Sequence, residues 1–342
     1  MIIRNNIEVK NEFNISFSIL RMYLSFVVVN NHLIDESKFK SICLLKLLKN
    51  RISVPIFFIM SFYLCFKLFS IENKKKIMHR LERIIIPYII WPIIIWVFNN
   101  LFHFCLKMKL RNTFFDLKIQ LLTGHNFIAA LWFQLNLIII TLLMLLIHML
   151  FNEHAFFILI NLIIFSYYLQ YSNINYGFFS QFSLYTRYPY GRLIEVIPFC
   201  ISGYFIGFLD IIKYLKKKRI KTLYIIILLL IISIKYNMFL TIEGFVFQGI
   251  KLHIISVFIF IIFALNPFEK TINIKNIILL ITNYTSGIYY LHFPIWEYLS
   301  YYIVLLKKRT IFTSIIIYLT CYFISFIGVK KFGKTKLKHL FL

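Results

Sequence analysis

Long runs of apolar residues, separated by short polar gaps, fill most of the chain. A helix needs about 20 predominantly apolar residues to cross a bilayer, and the chain offers about ten such runs. They cover residues 15–34, 52–70, 84–106, 128–151, 155–171, 193–212, 223–241, 250–266, 277–305 and 311–329. The pattern predicts an all-α integral membrane protein built as a bundle of about ten transmembrane helices.

The composition supports one membrane domain over residues 1–342, because the gaps contain no repeat, no Pro- or Gly-rich linker and no separate soluble segment. Apolar residues make up 60% of the chain and aromatic residues 19%, which does not suit a soluble globular domain. The five cysteines are scattered without a C-x-x-C pair, so neither a zinc site nor a disulfide framework is indicated. We expect no metal.

The net charge of +25 arises from Lys and Arg residues that lie mostly in the gaps. This placement indicates topology signals and contacts with a lipid bilayer, not with a nucleic acid. An even number of spans puts both termini on one side, and the excess of Lys and Arg over alternate gaps places that side in the cytoplasm. Three clusters carry the excess, within residues 74–83, 213–221 and 330–338.

Two ionisable residues, Arg21 and His32, lie inside the first apolar run. Each costs roughly 2.5–3.5 kcal/mol at mid-membrane, so such residues usually serve a function. Their spacing of eleven residues is about three helical turns, which places both on one helix face about 16 Å apart along the axis. In the expected orientation, Arg21 lies in the cytoplasmic half of the helix and His32 at its outer end. The residues alone also allow an interpretation without chemistry, in which Arg21 extends to the cytoplasmic lipid headgroups and His32 is an interfacial histidine.

Several motifs follow one another in a fixed order, and together they resemble the acyltransferase 3 family of membrane O-acyltransferases. The first is Arg21, ten residues, His32 and then Asp35, which is similar to the R-x10-H signature of that family. The later ones are the pattern from Arg51 to Ser61, Arg80-x-x-Arg83 with Pro87-Tyr88, Leu131-Trp132-Phe133, Gly203-Tyr204 with Gly207, and Gly287 to Pro294. One departure is Phe62, which stands where the family usually has glycine, so the resemblance leaves close backbone packing open at this position.

The resemblance implies transfer of an acyl group, expected to be acetyl, from cytoplasmic acyl-CoA to a hydroxyl of a cell-envelope glycan or its lipid-linked precursor. It also implies a multi-pass protein of the bacterial plasma membrane. Arg21, Arg80 and Arg83 would hold the anionic donor. His32 would act as base or acyl carrier, and Asp35 would orient its imidazole.

The acceptor side of the expected site is represented by Arg51, His292 and Glu297. Arg51 opens the second helix across the loop from His32 and would bind an anionic acceptor or the developing oxyanion. His292 and Glu297 would contribute on the same side or, in a structural alternative, form an interhelical hydrogen-bond pair. A homo-oligomer and a complex with the glycan-synthesis machinery both remain open.

Two other classes of function remain. A transporter of glycan or small molecules would use Arg21 and His32 in a proton or substrate pathway, but the second half of the chain holds no counterpart of the first helix. A scaffold without activity would leave the polar residues inside the spans without a reason.

Overall fold

The computed structural model describes most of the chain as α-helix. Its described residues are 15–34, 52–69, 74–105, 113–124, 131–176, 184–218, 250–265 and 284–332, with the single residues 128, 282, 335 and 340. Asp35, Arg51 and the expected span 223–241 lie outside them. No strand occurs within the described ranges.

Eleven α-helices follow one another within these ranges. They are α1 Ile15–Leu33, α2 Ser53–Cys65, α3 Lys74–Cys105, α4 Phe114–Thr123, α5 Trp132–Phe151, α6 Ala155–Tyr176, α7 Leu184–Phe208, α8 Ile211–Lys218, α9 Ile250–Ala264, α10 Thr285–Tyr302 and α11 Ile311–Phe332. A helix overlaps each expected span that falls within the described residues. The all-α class is therefore confirmed for the described residues.

Four of these helices contain segments long and apolar enough to cross a membrane. The segments are Lys75–Cys105, Trp132–Phe151, Ala155–Ser172 and Ile311–Phe332. A fifth crossing is possible where Arg192–Phe208 and Ile211–Lys217 meet at a bend of 53°. The count of about ten spans and the cytoplasmic termini remain predictions.

Close packing of α2 against α7 depends on Gly203. A Cβ atom at this position would lie 2.2 Å from the carbonyl oxygen of Ile59, so only glycine lets the two backbones approach this closely. Phe62, one turn further along α2, is fully buried. The close packing that Phe62 left open is found one turn earlier on α2, at Ile59, where α7 supplies the small residue.

Polar side chains join α6, α7 and α9 inside the apolar bundle. Pro198 has no N–H, so the carbonyl of Ile194 one turn earlier loses its helical partner. The hydroxyl of Ser166 and the amide of Gln170 both donate to that oxygen. His253 bonds through Nε2 to Ser202 over 2.7 Å and through Nδ1 to the hydroxyl of Tyr167.

The short helix α4 was not expected from the sequence. Thr113 and Asp116 cap its first turn reciprocally, and Gly124 ends it with a φ of 65°. The hydroxyl of Tyr88 in α3 donates to the carbonyl of Leu121 over 2.6 Å, which holds α4 against α3. A ten-residue helix is too short to cross a bilayer, so hydropathy over span-length windows does not detect it.

Candidate active site

Two histidines face each other between α1 and α10. The ring centroids of His32 and His292 lie 5.2 Å apart, with the ring planes inclined by 39°. His32 is the penultimate residue of α1 and is partly buried, whereas His292 is only 1% exposed. The fold therefore adds a second imidazole to the histidine that the sequence places at the outer end of α1.

The hydrogen bond of His292 defines its tautomer. Nδ1 lies 3.2 Å from the carbonyl oxygen of Ile288, and a carbonyl can only accept, so Nδ1 carries the proton. The other nitrogen, Nε2, is buried and has no hydrogen-bond partner among the described residues. In the neutral ring Nε2 then carries a lone pair, which can accept a proton or a hydrogen bond from a substrate hydroxyl.

An aromatic wall connects this pair of histidines to α5 and α2. Tyr289 lies 6.3 Å from His292 and 5.4 Å from Phe133, measured between ring centroids. Phe133 in turn lies 4.5 Å from Phe58. These contacts enclose the histidine pair with apolar surface, which strengthens electrostatic interactions within the site.

Arg21 lies on the same helix as His32, about three turns before it. Its side chain is partly buried and interacts electrostatically with Arg83 of α3 and Tyr290 of α10. Two guanidinium groups are thus held near each other despite their like charge. Such an arrangement favours a polyanionic ligand, because an anion placed between them removes the repulsion.

Arg80 and Arg83 differ in their surroundings. Arg80 donates from Nη2 to the hydroxyl of Ser61 over 2.8 Å, and its guanidinium lies 5.7 Å from the centroid of the Phe62 ring. Its Nε is buried and has no hydrogen-bond partner within the described part of the chain. Arg83 is exposed. The R-x-x-R motif therefore offers one arginine fixed inside the bundle and one at its surface.

The remaining candidates are Glu297, Asp35 and Arg51. Glu297 is partly buried and lies on α10, as His292 does, so the two residues do not form an interhelical pair. Their spacing of five residues puts them about 140° apart around the helix. The roles of Asp35 and Arg51 cannot be read from geometry, because both lie outside the described residues.

A buried ion pair on α7 was missed in the sequence. Arg192 Nη1 lies 3.1 Å from Glu195 Oε2, and the two side chains are 12% and 1% exposed. The guanidinium of Arg192 also lies 5.5 Å from the Trp132 ring of α5. Glu195 lies within an expected span, so the argument that singled out Arg21 would have found it.

A second missed residue is Asn136 of α5, whose side chain is fully buried. A single amide within an apolar run carries no charge, so the search for ionisable residues passed over it. The described ranges contain no group of three His, Cys, Asp or Glu side chains that could hold a metal ion.

Comparison with known families assigns residues 14–329 to a family model described as an acyltransferase domain, the acyltransferase 3 domain. The match covers most of the 342 residues. No match was found among curated proteins or among solved structures. The resemblance drawn from the ordered motifs is thereby confirmed.

Proposed function

This chain belongs to the acyltransferase 3 family of membrane acyltransferases, and we propose that it is an O-acyltransferase with a cytoplasmic acyl-CoA donor. The acyl group is acetyl in this proposal, and the acceptor is a hydroxyl of a cell-envelope glycan or of its lipid-linked precursor. The protein is located in the bacterial plasma membrane, which the chain crosses several times. The alternative donor is succinyl-CoA, and a comparison of transfer from the two donors identifies the acyl group.

The contact between His32 and His292 is the observation that carries the proposal. Acyl transfer needs a base beside the acceptor hydroxyl, and His32 takes its proton as the oxygen attacks the thioester carbonyl. The new C–O bond forms, the C–S bond breaks, and the proton passes to the departing thiolate of CoA. His292 Nε2 accepts a hydrogen bond from a second hydroxyl of the acceptor sugar and so aligns the attacking hydroxyl.

In the alternative route, His32 itself attacks the thioester. The C–N bond forms, the C–S bond breaks, CoA leaves as the thiol with the imidazole proton, and His32 carries the acyl group as an acyl-imidazole. The acceptor hydroxyl then attacks this intermediate, the C–N bond breaks, and the hydroxyl proton passes through His292 Nε2 to the released imidazole of His32. Both routes use the same two rings, and they differ in whether a covalent intermediate precedes entry of the acceptor. Asp35 is proposed to orient His32 in either route.

The donor is proposed to enter from the side of Arg80 and Arg83. Charge-assisted hydrogen bonds from these arginines and from Arg21 hold the phosphates or the polar arm of the donor. Arg21 and His32 are about 16 Å apart along α1, so one helix presents a cation to the arm and a base to the thioester. This separation supports a donor that is anionic at one end and reactive at the other.

The acceptor is proposed to reach the opposite end of the site. Arg51 would stabilise the oxyanion that develops on the thioester carbonyl, or bind an acceptor that is itself anionic. Glu297 would contribute to binding the sugar from the acceptor side. A homo-oligomer or a complex with glycan-synthesis enzymes is compatible with this arrangement, and neither is needed for the chemistry.

The test uses the full chain reconstituted in nanodiscs. Radiolabelled acetyl-CoA is supplied with lipid-linked glycan extracted from the native membrane, and label in the glycan is measured before and after mild alkaline release of O-esters. We expect alkali-labile label with the natural chain and none with His32→Ala. Label that resists alkali, or equal label with His32→Ala, would contradict the proposal.

A further inference from the structure

The amide of Asn136 is buried inside the bundle, and within the described part of the chain its hydrogen-bonding capacity is unused. The residue is fully buried, and neither Oδ1 nor Nδ2 has a hydrogen-bond partner among the described residues. Buried amides nearly always find partners in folded proteins. An amide whose donor and acceptor atoms are both unused therefore indicates a ligand that supplies them.

Two polar residues elsewhere in the apolar helices behave differently. Asn161 of α6 donates from Nδ2 to the carbonyl of Phe157 over 3.0 Å, and Thr141 of α5 donates to the carbonyl of Leu137 over 2.6 Å. Both side chains therefore find a hydrogen-bond acceptor within their own helix. Asn136 forms no such bond, although the carbonyl of Trp132 lies one turn before it in the same helix.

The position of Asn136 on α5 places it beside the candidate active site. It follows Trp132 by four residues and Phe133 by three, so its side chain projects between theirs. Phe133 contacts Tyr289 at 5.4 Å, and Tyr289 contacts His292 at 6.3 Å, between ring centroids. Asn136 therefore lies about one helical turn from the aromatic wall that ends at the histidine pair.

The other end of α5 leads toward Arg80. His148 of α5 stacks on Phe69 at 5.8 Å, and Phe69 stacks on Phe62 at 6.3 Å. The guanidinium of Arg80 lies over the Phe62 ring at 5.7 Å. Asn136 is thus on the helix that runs from the histidine pair to the arginine proposed to hold the phosphates, and it lies between these two ends.

We infer that Asn136 binds an amide group of the pantetheine arm of the acyl donor, an inference that rests on the proposed use of acyl-CoA. The arm joins the phosphates to the thioester and contains two secondary amides. Each of these offers one N–H and one C=O. The carboxamide of Asn136 matches such a group in both directions, since Oδ1 accepts from the N–H and Nδ2 donates to the C=O.

The decisive variant is Asn136→Leu, because leucine branches at Cγ as asparagine does and has no polar atom. Removing an unsatisfied buried amide is expected to raise the melting temperature of the ligand-free protein. The same change is expected to lower kcat/KM for acetyl-CoA by roughly ten- to a hundredfold, mostly through the donor KM. Asn161→Leu serves as the control and should leave both kinetic constants unchanged.

Donor analogues locate the interaction. The natural chain and Asn136→Leu are compared with acetyl-CoA, with S-acetyl-N-acetylcysteamine, which keeps one amide, and with S-acetyl-butanethiol, which has none. The loss caused by Asn136→Leu should disappear with a donor that lacks the amide bound by Asn136. With S-acetyl-butanethiol the natural chain and the variant should therefore be equal.

Three results would overturn the inference. A lower melting temperature with an equal loss for all donors would make Asn136 a structural residue. A change confined to the acceptor KM would place the amide on the glycan. Absence of transfer from any acyl-CoA by the natural chain would overturn the proposed function and this inference with it, whereas transfer unaffected by Asn136→Leu would overturn the inference alone.

Discussion

Arg80 donates a hydrogen bond from Nη2 to the hydroxyl of Ser61 over 2.8 Å. The bond joins the first turns of α3 to the last turns of α2, and it connects the R-x-x-R motif with the serine of the preceding motif. The two motifs are separate features in the sequence, yet in the fold they form one unit. Ser61 thereby fixes the guanidinium that is proposed to bind the donor.

Replacing Arg80 should weaken donor binding. We expect Arg80→Lys to raise the KM for acetyl-CoA about tenfold with little change in kcat, because an ammonium cannot make the two-point contact of a guanidinium. Ser61→Ala should raise the same KM by a smaller factor, since the arginine keeps its charge and loses its anchor. Steady-state kinetics at saturating acceptor measure both, and Lys76→Ala, at an exposed position of α3, is the control. A donor KM unchanged in Arg80→Lys would remove Arg80 from the donor site.

Loss of His32 should abolish the chemical step. We expect His32→Ala to lower kcat by about 10²–10⁴-fold without loss of the folded protein, as is usual when a positioned base is removed. Single-turnover transfer and thermal unfolding in nanodiscs separate activity from folding. His79→Ala is the matched control, because His79 is exposed on α3 and pairs only weakly with Glu82 at 3.8 Å. Natural kcat in His32→Ala would exclude this residue from the mechanism.

The two nitrogens of His292 can be tested separately. Asparagine can replace the Nδ1 donor to Ile288, whereas glutamine can place a polar atom near the position of Nε2. If Nε2 aligns the acceptor hydroxyl, His292→Gln should retain more activity than His292→Asn, and both should raise the acceptor KM. Variation of the glycan concentration at saturating acetyl-CoA gives these values. If His292→Asn retained more activity than His292→Gln, His292 would act only through the hydrogen bond of Nδ1 to Ile288.

Arg21 is the deepest of the proposed donor-binding cations. Arg21→Ala should raise the donor KM more than Arg21→Lys does, because the lysine keeps a charge without the planar guanidinium. Equal donor KM and kcat in Arg21→Ala and in the natural chain would leave Arg21 as a headgroup anchor of α1.

Gly203→Ala should destabilise the contact between α2 and α7. Its Cβ would meet the backbone oxygen of Ile59 at 2.2 Å, so the helices have to separate, at a cost of about 1–3 kcal/mol. Gly207→Ala should cost less, because its nearest neighbour is a side-chain atom of Phe66, at 2.3 Å, and a ring can turn aside. Thermal unfolding of both variants tests this order, and an equal effect would contradict it.

The orientation in the membrane follows from the distribution of Lys and Arg and remains to be tested. We expect both termini and residues 72–83 in the cytoplasm and residues 35–50 outside. Single cysteines placed in these segments of a cysteine-free background, labelled with a membrane-impermeant maleimide in whole cells, report the side directly. Labelling of 72–83 without labelling of 35–50 would invert the proposed donor and acceptor sides.

The sequence by itself determined the class of protein and most of its helices. In a bilayer, the backbone N–H and C=O groups of an apolar run of about 20 residues find hydrogen-bond partners within the run only when it is helical. Hydropathy alone therefore located nine helices among the described residues. It also located Arg21 and His32, because their spacing is a property of one helix and needs no knowledge of its neighbours. The ordered motifs were sufficient to identify the family.

Hydropathy did not determine where the helices begin and end. Helix α3 begins at Lys74, ten residues before the expected span, because charged residues form a helix readily outside the hydrocarbon region. The amphipathic helix α8 and the capped helix α4 are shorter than a membrane span. These short helices depend on caps and on contacts with their neighbours. Hydropathy averaged over a window of span length does not detect such features.

Only the tertiary structure decided which polar groups meet. Nothing in the sequence indicated that His292 meets His32 or that Arg80 meets Ser61, and nothing singled out Asn136. Each of these relationships joins different helices or depends on what surrounds a side chain, and helices of similar hydropathy can pack in many orders. The arrangement is fixed by close contacts such as that of Gly203 with Ile59, whose effect appears only when the helices are packed together.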